Sequence, residues 1–152
     1  MKAITWLAAM TMSVAAITSS AYAESSKGWS TDLEASIALA KKENKSVLIN
    51  FTGSDWCPPC VYMHKNVFSK EEFLSVASNK YVLVEIDLPK GDKELKKKNT
   101  PFAKEYEVIG FPTIILLDNE GKEFTRFFGN EFPSIELFLS KLEKSIENKD
   151  LD

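Results

Sequence analysis

The only two cysteines of the chain stand two residues apart, in Trp56-Cys57-Pro58-Pro59-Cys60. An apolar, β-branched run, Val47-Leu48-Ile49-Asn50-Phe51-Thr52, leads into them, and a stretch with helical character, Val61 to Phe68, follows. Strand, short loop, Cys-x-x-Cys, helix is the context in which this spacing reads as a redox pair. The first cysteine falls at a helix N-terminus, where unpaired N–H groups and the macrodipole favour an anion. Its thiolate is therefore more populated than that of a free thiol, and the thiolate is the nucleophile. The second cysteine, one turn on, can close a disulfide on the first. A purely structural staple is the weaker reading, because a loop this short constrains the unfolded chain very little.

The N-terminus bears on where such chemistry would take place. Lys2 is a minimal positive region, Ala3 to Ile17 is apolar with interspersed Thr and Ser, and Ala21-Tyr22-Ala23 is a small-x-small site before Glu24. This pattern reads as a signal peptide over residues 1–23, cleaved after Ala23. The apolar run is short for a membrane anchor, which needs ~20 residues. No cysteine follows it to take a lipid, and the last residues carry no ER-retention tetrapeptide. The expectation is a periplasmic or secreted protein whose mature chain, residues 24–152, is a single monomeric domain. The net charge of −3 comes with no basic block, which argues against a nucleic-acid partner.

Hydrophobic periodicity outlines the elements. Thr31 with Glu34 has the form of a capping box, and Leu33, Ile37 and Ala40 give a helical stripe up to Lys42. Val47–Thr52 is apolar on both faces, as a central strand should be. Ser69 with Glu72 is a second capping pattern, opening a helix through Ala77. Tyr81 to Asp87 reads as a strand, and Thr100-Pro101 as an N-cap and first position of a short helix to Tyr106. Thr113 to Leu117 and Lys122 to Phe128, joined by the turn Asp118-Asn119-Glu120-Gly121, read as a hairpin. Pro133 opens a last helix with Ile135, Phe138, Leu139 and Leu142 on one face. Alternating strands and helices that end in hairpin and helix predict a mixed sheet covered by helices.

Phe51-Thr52-Gly53-Ser54-Asp55-Trp56-Cys57-Pro58-Pro59-Cys60 resembles the active-site segment of exported (periplasmic) thioredoxin-like thiol–disulfide oxidoreductases. Ala103-Lys104-Glu105-Tyr106-Glu107-Val108-Ile109-Gly110-Phe111-Pro112-Thr113 resembles their second signature, and Asp118 to Lys122 their hairpin turn. The resemblance covers roughly Trp29 to Glu147. It implies an α/β thioredoxin fold, with a central mixed β-sheet flanked by helices and a C-terminal β-hairpin plus helix. It also implies that Pro112 is cis and faces the cysteine pair, and that the backbone of Phe111 is open to pair with a substrate segment. Trp56 would then cover the disulfide, with Pro58 and Pro59 as active-site support.

The chain departs from that family in two places. The family's buried aspartate, which relays a proton to or from the second cysteine, is replaced by Asn50, which cannot titrate. Glu85, on the next apolar strand and in step with Tyr81, Leu83 and Asp87, is a candidate substitute; the alternative is an exposed edge carboxylate. The segment Pro89 to Asn99 is longer and richer in lysine than the family's usual link. Lys93, Lys96, Lys97 and Lys98 read as a solvated face, with a docking patch for an acidic partner as the sharper alternative. Asp55 reads equally as a loop cap or as a tuner of the thiol.

The leading functional expectation is an exported thiol–disulfide oxidoreductase in which Cys57 attacks and Cys60 resolves, on protein disulfide substrates. The Cys57–Cys60 disulfide is then the redox group, and no metal, nucleotide or flavin is needed. Proline at both intervening positions offers neither a side-chain donor nor an N–H, so Cys57 lacks the means for a deep pKa depression, which favours a reductase. A reductase in an oxidising compartment must be recharged, which implies a membrane-embedded electron donor. A disulfide-forming or isomerising enzyme is the alternative within the class. From another class comes a periplasmic copper-binding or copper-delivery module, with Cys57, Cys60 and His64 as ligands. Met63 and Val67 fit the core-facing stripe better than His64, which argues against it.

Overall fold

The computed structural model describes residues 27–151, so the signal-peptide reading of residues 1–23 lies outside the described residues. Four strands form one mixed sheet in the order β2-β1-β3-β4: β1 (Ser46–Thr52), β2 (Tyr81–Asp87), β3 (Thr113–Leu117) and β4 (Glu123–Phe128). β1 runs parallel to β2 and antiparallel to β3, and β3 and β4 form an antiparallel hairpin. β1 is buried along its whole length, as its continuous apolar run requires of a central strand.

Helices cover both faces of this sheet. α1 (Leu33–Glu43) and α4 (Lys93–Glu105) close one side, over Val47, Ile49, Phe51, Ile86, Ile115 and Leu117. α2 (Pro58–Met63), α3 (Glu71–Lys80) and α5 (Ile135–Lys149) close the other, over Leu48, Leu83, Ile114 and Leu116. An aromatic cluster cements this second side. Phe138 of α5 meets Phe68 and Phe73 edge-on, at ring-centroid distances of 5.1 and 5.6 Å. This is a thioredoxin fold, as the resemblance implied.

Several boundaries differ from the sequence expectation, each for a local reason. α1 is capped by Asp32 and not Thr31: the Asp32 carboxylate accepts the Ala35 amide at 2.9 Å. Ser69 does not open α3. Its amide donates to the His64 and Val67 carbonyls and closes the preceding helix, so α3 starts after Lys70 and runs on to Lys80. The largest difference is α4. The expected link and short helix are one helix from Lys93, capped by Asp92, whose carboxylate accepts the Leu95 amide at 2.9 Å. Its lysines are good helix formers. Pro101 lies inside it, and Thr100 donates its hydroxyl to the Lys96 carbonyl (2.7 Å). The buried Asn99 donates its side-chain amide to the Asp87 carbonyl (2.7 Å), fastening α4 to the end of β2. α5 is capped by Ser134 rather than opened by Pro133. β4 starts at Glu123, because the Lys122 carbonyl accepts the Asp118 amide and closes the turn.

α2 continues without a break into a π-helical turn, His64–Phe68. Such turns are rare and concentrate at functional sites. Among the described residues no helix is long and apolar enough to cross a membrane.

Candidate active site

β1 delivers the chain at Thr52 to a loop, Gly53 to Trp56, that folds back on itself. The amides of Trp56 and Cys57 both donate to the Gly53 carbonyl, at 3.3 and 3.0 Å. Cys57 is therefore placed as the N-cap of α2, with its carbonyl taking the Val61 amide at 3.0 Å. Pro58 and Pro59 occupy the first two helical positions, where a missing N–H costs nothing. Cys57 and Cys60 are joined as a disulfide, with Cα atoms 5.2 Å apart.

Both cysteines are nearly covered, at 4 % exposure for Cys57 and 2 % for Cys60. What separates them is the surface each touches. Cys57 lines an open depression together with Asp55, Trp56, Pro58, Val61 and Tyr62, and Cys60 does not. Val61 and Tyr62 are about half exposed, so the rim of that depression is apolar.

The Phe111–Pro112 bond is cis. The Phe111 ring meets the Trp56 indole edge-on, with centroids 5.4 Å apart, so Trp56 spans the distance between the disulfide loop and the cis-proline loop. The Thr113 hydroxyl donates to the Gly110 carbonyl, and the Pro112 carbonyl takes the Gly129 amide, which fixes the loop to β3 and to the end of β4. Ile109, just before this loop, is 91 % exposed.

Trp56 is held on its other sides too. Its Nε1 donates to the Leu88 carbonyl at 2.8 Å, and the Lys90 ammonium lies over the ring, 5.2 Å from its centroid. A Cβ on Gly53 would come within 2.5 Å of the indole, so the ring can lie there only because residue 53 is glycine. Asp55 and Asp87 complete these ties. The Asp55 carboxylate accepts the amides of Lys90 and Gly91, and the Asp87 carboxylate accepts both the amide and the hydroxyl of Ser54. The Lys90 amide first, then that of Gly91, hold the Asp55 carboxyl below the usual carboxylate range. Sequence reasoning singled out Asp55 and Trp56 but missed Asp87, Leu88 and Lys90. These contacts join residues more than thirty positions apart, and no local pattern records them. Gly53 and Gly91 were the available signals, as glycines at close backbone approaches.

Asn50 of β1 and Glu85 of β2 are register partners in the parallel pair, on the face that α2, α3 and α5 cover. Asn50 is buried, and its Oδ1 has no hydrogen-bond partner among the described residues. Glu85 is half-buried, between the buried and the edge-exposed readings, and its amide donates to the Ser30 carbonyl. Met63 and Val67 face the core and His64 faces solvent. No group of three metal-ligating side chains occurs among the described residues, so the copper-module reading has no support from this site.

Comparison with known proteins agrees with this geometry. Residues 33–145 match the thioredoxin-like domain family. The disulfide bond reductase DsbH of Chlamydia pneumoniae is 31 % identical over 122 residues, which cover 78 % of this chain and 72 % of that protein. The thioredoxin-related protein DsbJ of the same organism is 30 % identical over 108 residues, 68 % of this chain but 31 % of that protein. The thiol:disulfide interchange protein DsbD of Pseudoalteromonas atlantica is 30 % identical over 94 residues, 62 % of this chain but only 15 % of that protein. Among solved structures, the DsbH oxidoreductase superimposes with a TM-score of 0.69 at 28 % identity, over 78 % of this chain and 83 % of that one. This chain carries a disulfide at the start of α2 and a cis-proline loop on this fold, and it matches relatives named for disulfide exchange: it belongs to the thioredoxin-like domain family and is a thiol–disulfide oxidoreductase.

Proposed function

We propose that the protein is an exported, monomeric reductase of protein disulfides, its mature domain spanning residues 24–152, with Cys57 as the attacking and Cys60 as the resolving thiol. The observation that carries the assignment of roles is that Cys57, at the N-cap of α2, lines the open depression while Cys60 does not. The reductive direction is supported by Pro58 and Pro59, which remove two amides that could otherwise stabilise a Cys57 thiolate. The similarity to a disulfide bond reductase points the same way.

In the reduced protein the Cys57 thiolate attacks one sulfur of a client disulfide. A mixed disulfide forms, and the other client sulfur leaves as a thiolate that takes a proton from solvent. Cys60 then loses its proton and attacks the Cys57 sulfur. The mixed disulfide breaks, the second client thiolate departs, and the Cys57–Cys60 disulfide of this structure remains. Two electrons have passed from the dithiol to the client. A client strand would pair with the backbone of Phe111 before Pro112, and Trp56, Val61 and Tyr62 would supply apolar contact. Glu85 is the proposed acceptor for the Cys60 proton, since its register partner Asn50 cannot titrate. A membrane-embedded dithiol donor would return the two electrons, a reading that the similarity to a thiol:disulfide interchange protein supports.

The test is catalysis of insulin disulfide reduction, with alkylation at neutral pH to order the two thiols. Cys57→Ser is expected to abolish the activity, and Cys57 to be alkylated first. Labelling of Cys60 first would reverse the roles.

A further inference from the structure

The active-site loop and the segment that follows β2 are joined by a set of contacts that the exchange chemistry does not itself require. Asp55 Oδ1 lies 2.8 Å from the Lys90 amide, and its Oδ2 lies 3.1 Å from that amide and 2.6 Å from the Gly91 amide. Lys90 then grips the indole from the other end of the same residue, its ammonium 5.2 Å from the Trp56 ring centroid. Two residues earlier, Leu88 takes the indole N–H. One carboxylate therefore holds the segment that in turn holds Trp56, the residue next to Cys57. The segment has little room to do otherwise: a Cβ on Gly91 would sit 3.0 Å from Asp55 Oδ2.

We propose that Asp55 is a positioning residue for disulfide exchange, which, by accepting the Lys90 and Gly91 amides, keeps the Trp56 indole in place at the depression that Cys57 also lines, and that it acts through this acceptor geometry rather than through its charge. The proposal rests on the reading of Cys57 as the attacking thiol. It separates the two roles that the sequence leaves open for Asp55. A charge two residues from the thiol would act on its ionisation whatever Asp55 bonds to. A cap acts only while its oxygens stay on the two amides. The carboxylate of Asp55 is exposed, so solvent screens its charge, whereas the hydrogen bonds are short and fixed in direction.

Asparagine tells these roles apart. It removes the negative charge and keeps part of the cap: its one side-chain oxygen, in the place of Oδ2, accepts the Gly91 amide, while its NH2, in the place of Oδ1, faces the Lys90 N–H and cannot accept it. The full chain is expressed as wild type, Asp55→Asn and Asp55→Ala, and folding is checked by the unfolding midpoint. The first readout is the pH profile of Cys57 alkylation in the reduced protein, which needs no client. The profile of Asp55→Ala is expected to depart from wild type, and that of Asp55→Asn to lie between the two. The second readout is kcat/KM for reduction of insulin. A loss of about tenfold is expected in Asp55→Ala, in keeping with the sensitivity of catalysis to small misplacements, and Asp55→Asn should recover part of it. Equal displacement of both variants would overturn the proposal in favour of charge, and an alanine variant that matches wild type would overturn it outright. Should Asp55→Ala fail to fold, Gly91→Ala takes its place, since it keeps every charge and crowds Asp55 Oδ2. The alanine-like loss supports the proposal and a wild-type rate overturns it. A wild type that alkylates at Cys57 but reduces no insulin would instead count against the proposed function and leave the alkylation comparison standing.

Discussion

After Cys57 the backbone carries no N–H until Cys60, because Pro58 and Pro59 fill the first two positions of α2. The Cys57 amide is itself spent on the Gly53 carbonyl. A Cys57 thiolate therefore finds fewer donors than the start of a helix ordinarily offers. Adding one should matter. Pro59→His is expected to lower the Cys57 pKa and raise the reduction potential, by ~30 mV for each 1.4 kcal/mol gained by the thiolate. Equilibration with glutathione measures it, and an unchanged potential would show that the intervening residues do not set the poise. If Glu85 takes the Cys60 proton as proposed, Glu85→Gln is expected to slow resolution of a mixed disulfide by about a hundredfold, as loss of a general base does, while leaving Cys57 alkylation unchanged. Rapid-quench trapping of the mixed disulfide distinguishes this from a variant that resolves at the wild-type rate. Cys60→Ala, which lacks the resolving thiol, should accumulate client adducts that dithiothreitol releases.

At the scale of elements, α5 is the piece whose docking closes the second side of the sheet. Phe138→Ala should cost about 3–5 kcal/mol in urea unfolding, because the ring is fully buried among Phe68, Phe73 and Phe127. β2 is tied to the same helix by the Tyr81 hydroxyl, which donates to the Leu142 carbonyl at 3.2 Å. Burial pushes the Tyr81 ionisation above the ordinary tyrosine range. The stability this contributes is fully present below the unfolded value of about 10 and is lost as pH rises from there towards the raised folded value. Tyr81→Phe should lose about 1 kcal/mol at neutral pH and show a weaker alkaline decline than wild type, both read from urea midpoints across the pH range. The elements themselves were legible where one physical signal dominated. The continuous apolar run of β1 announced a central strand, and the turn Asp118–Gly121 announced the hairpin. α4 starts earlier than expected because Thr100-Pro101 has the local form of a helix start, while Asp92 ahead of a lysine-rich run reads as a link whose lysines form a solvated face; those lysines are exposed, but on a helix. The tertiary bond from Asn99 to the Asp87 carbonyl, which anchors that helix, has no local trace.

For the molecule as a whole, the cysteine pair with its strand and helix could be read from sequence because they form a contiguous segment with its own chemistry, and the cis form of Pro112 was implied by the resemblance of Ala103–Thr113 to the thioredoxin signature. The ties from the active-site loop to Asp87, Leu88 and Lys90 could not be read from sequence, since they exist only once β1 and β2 lie side by side. The fold thus brings three sequence-distant segments to one end of the sheet: the disulfide loop, the segment after β2, and the cis-proline loop. The central claim about what this end does is that the dithiol is a reductant of protein disulfides. The most direct test is the reduction potential of the purified protein, equilibrated with glutathione buffers and read by the fraction of Cys57 and Cys60 that can be alkylated. The account predicts a value near that of thioredoxin, about −270 mV, and a value above roughly −180 mV, in the range of the isomerases and oxidants, would contradict it.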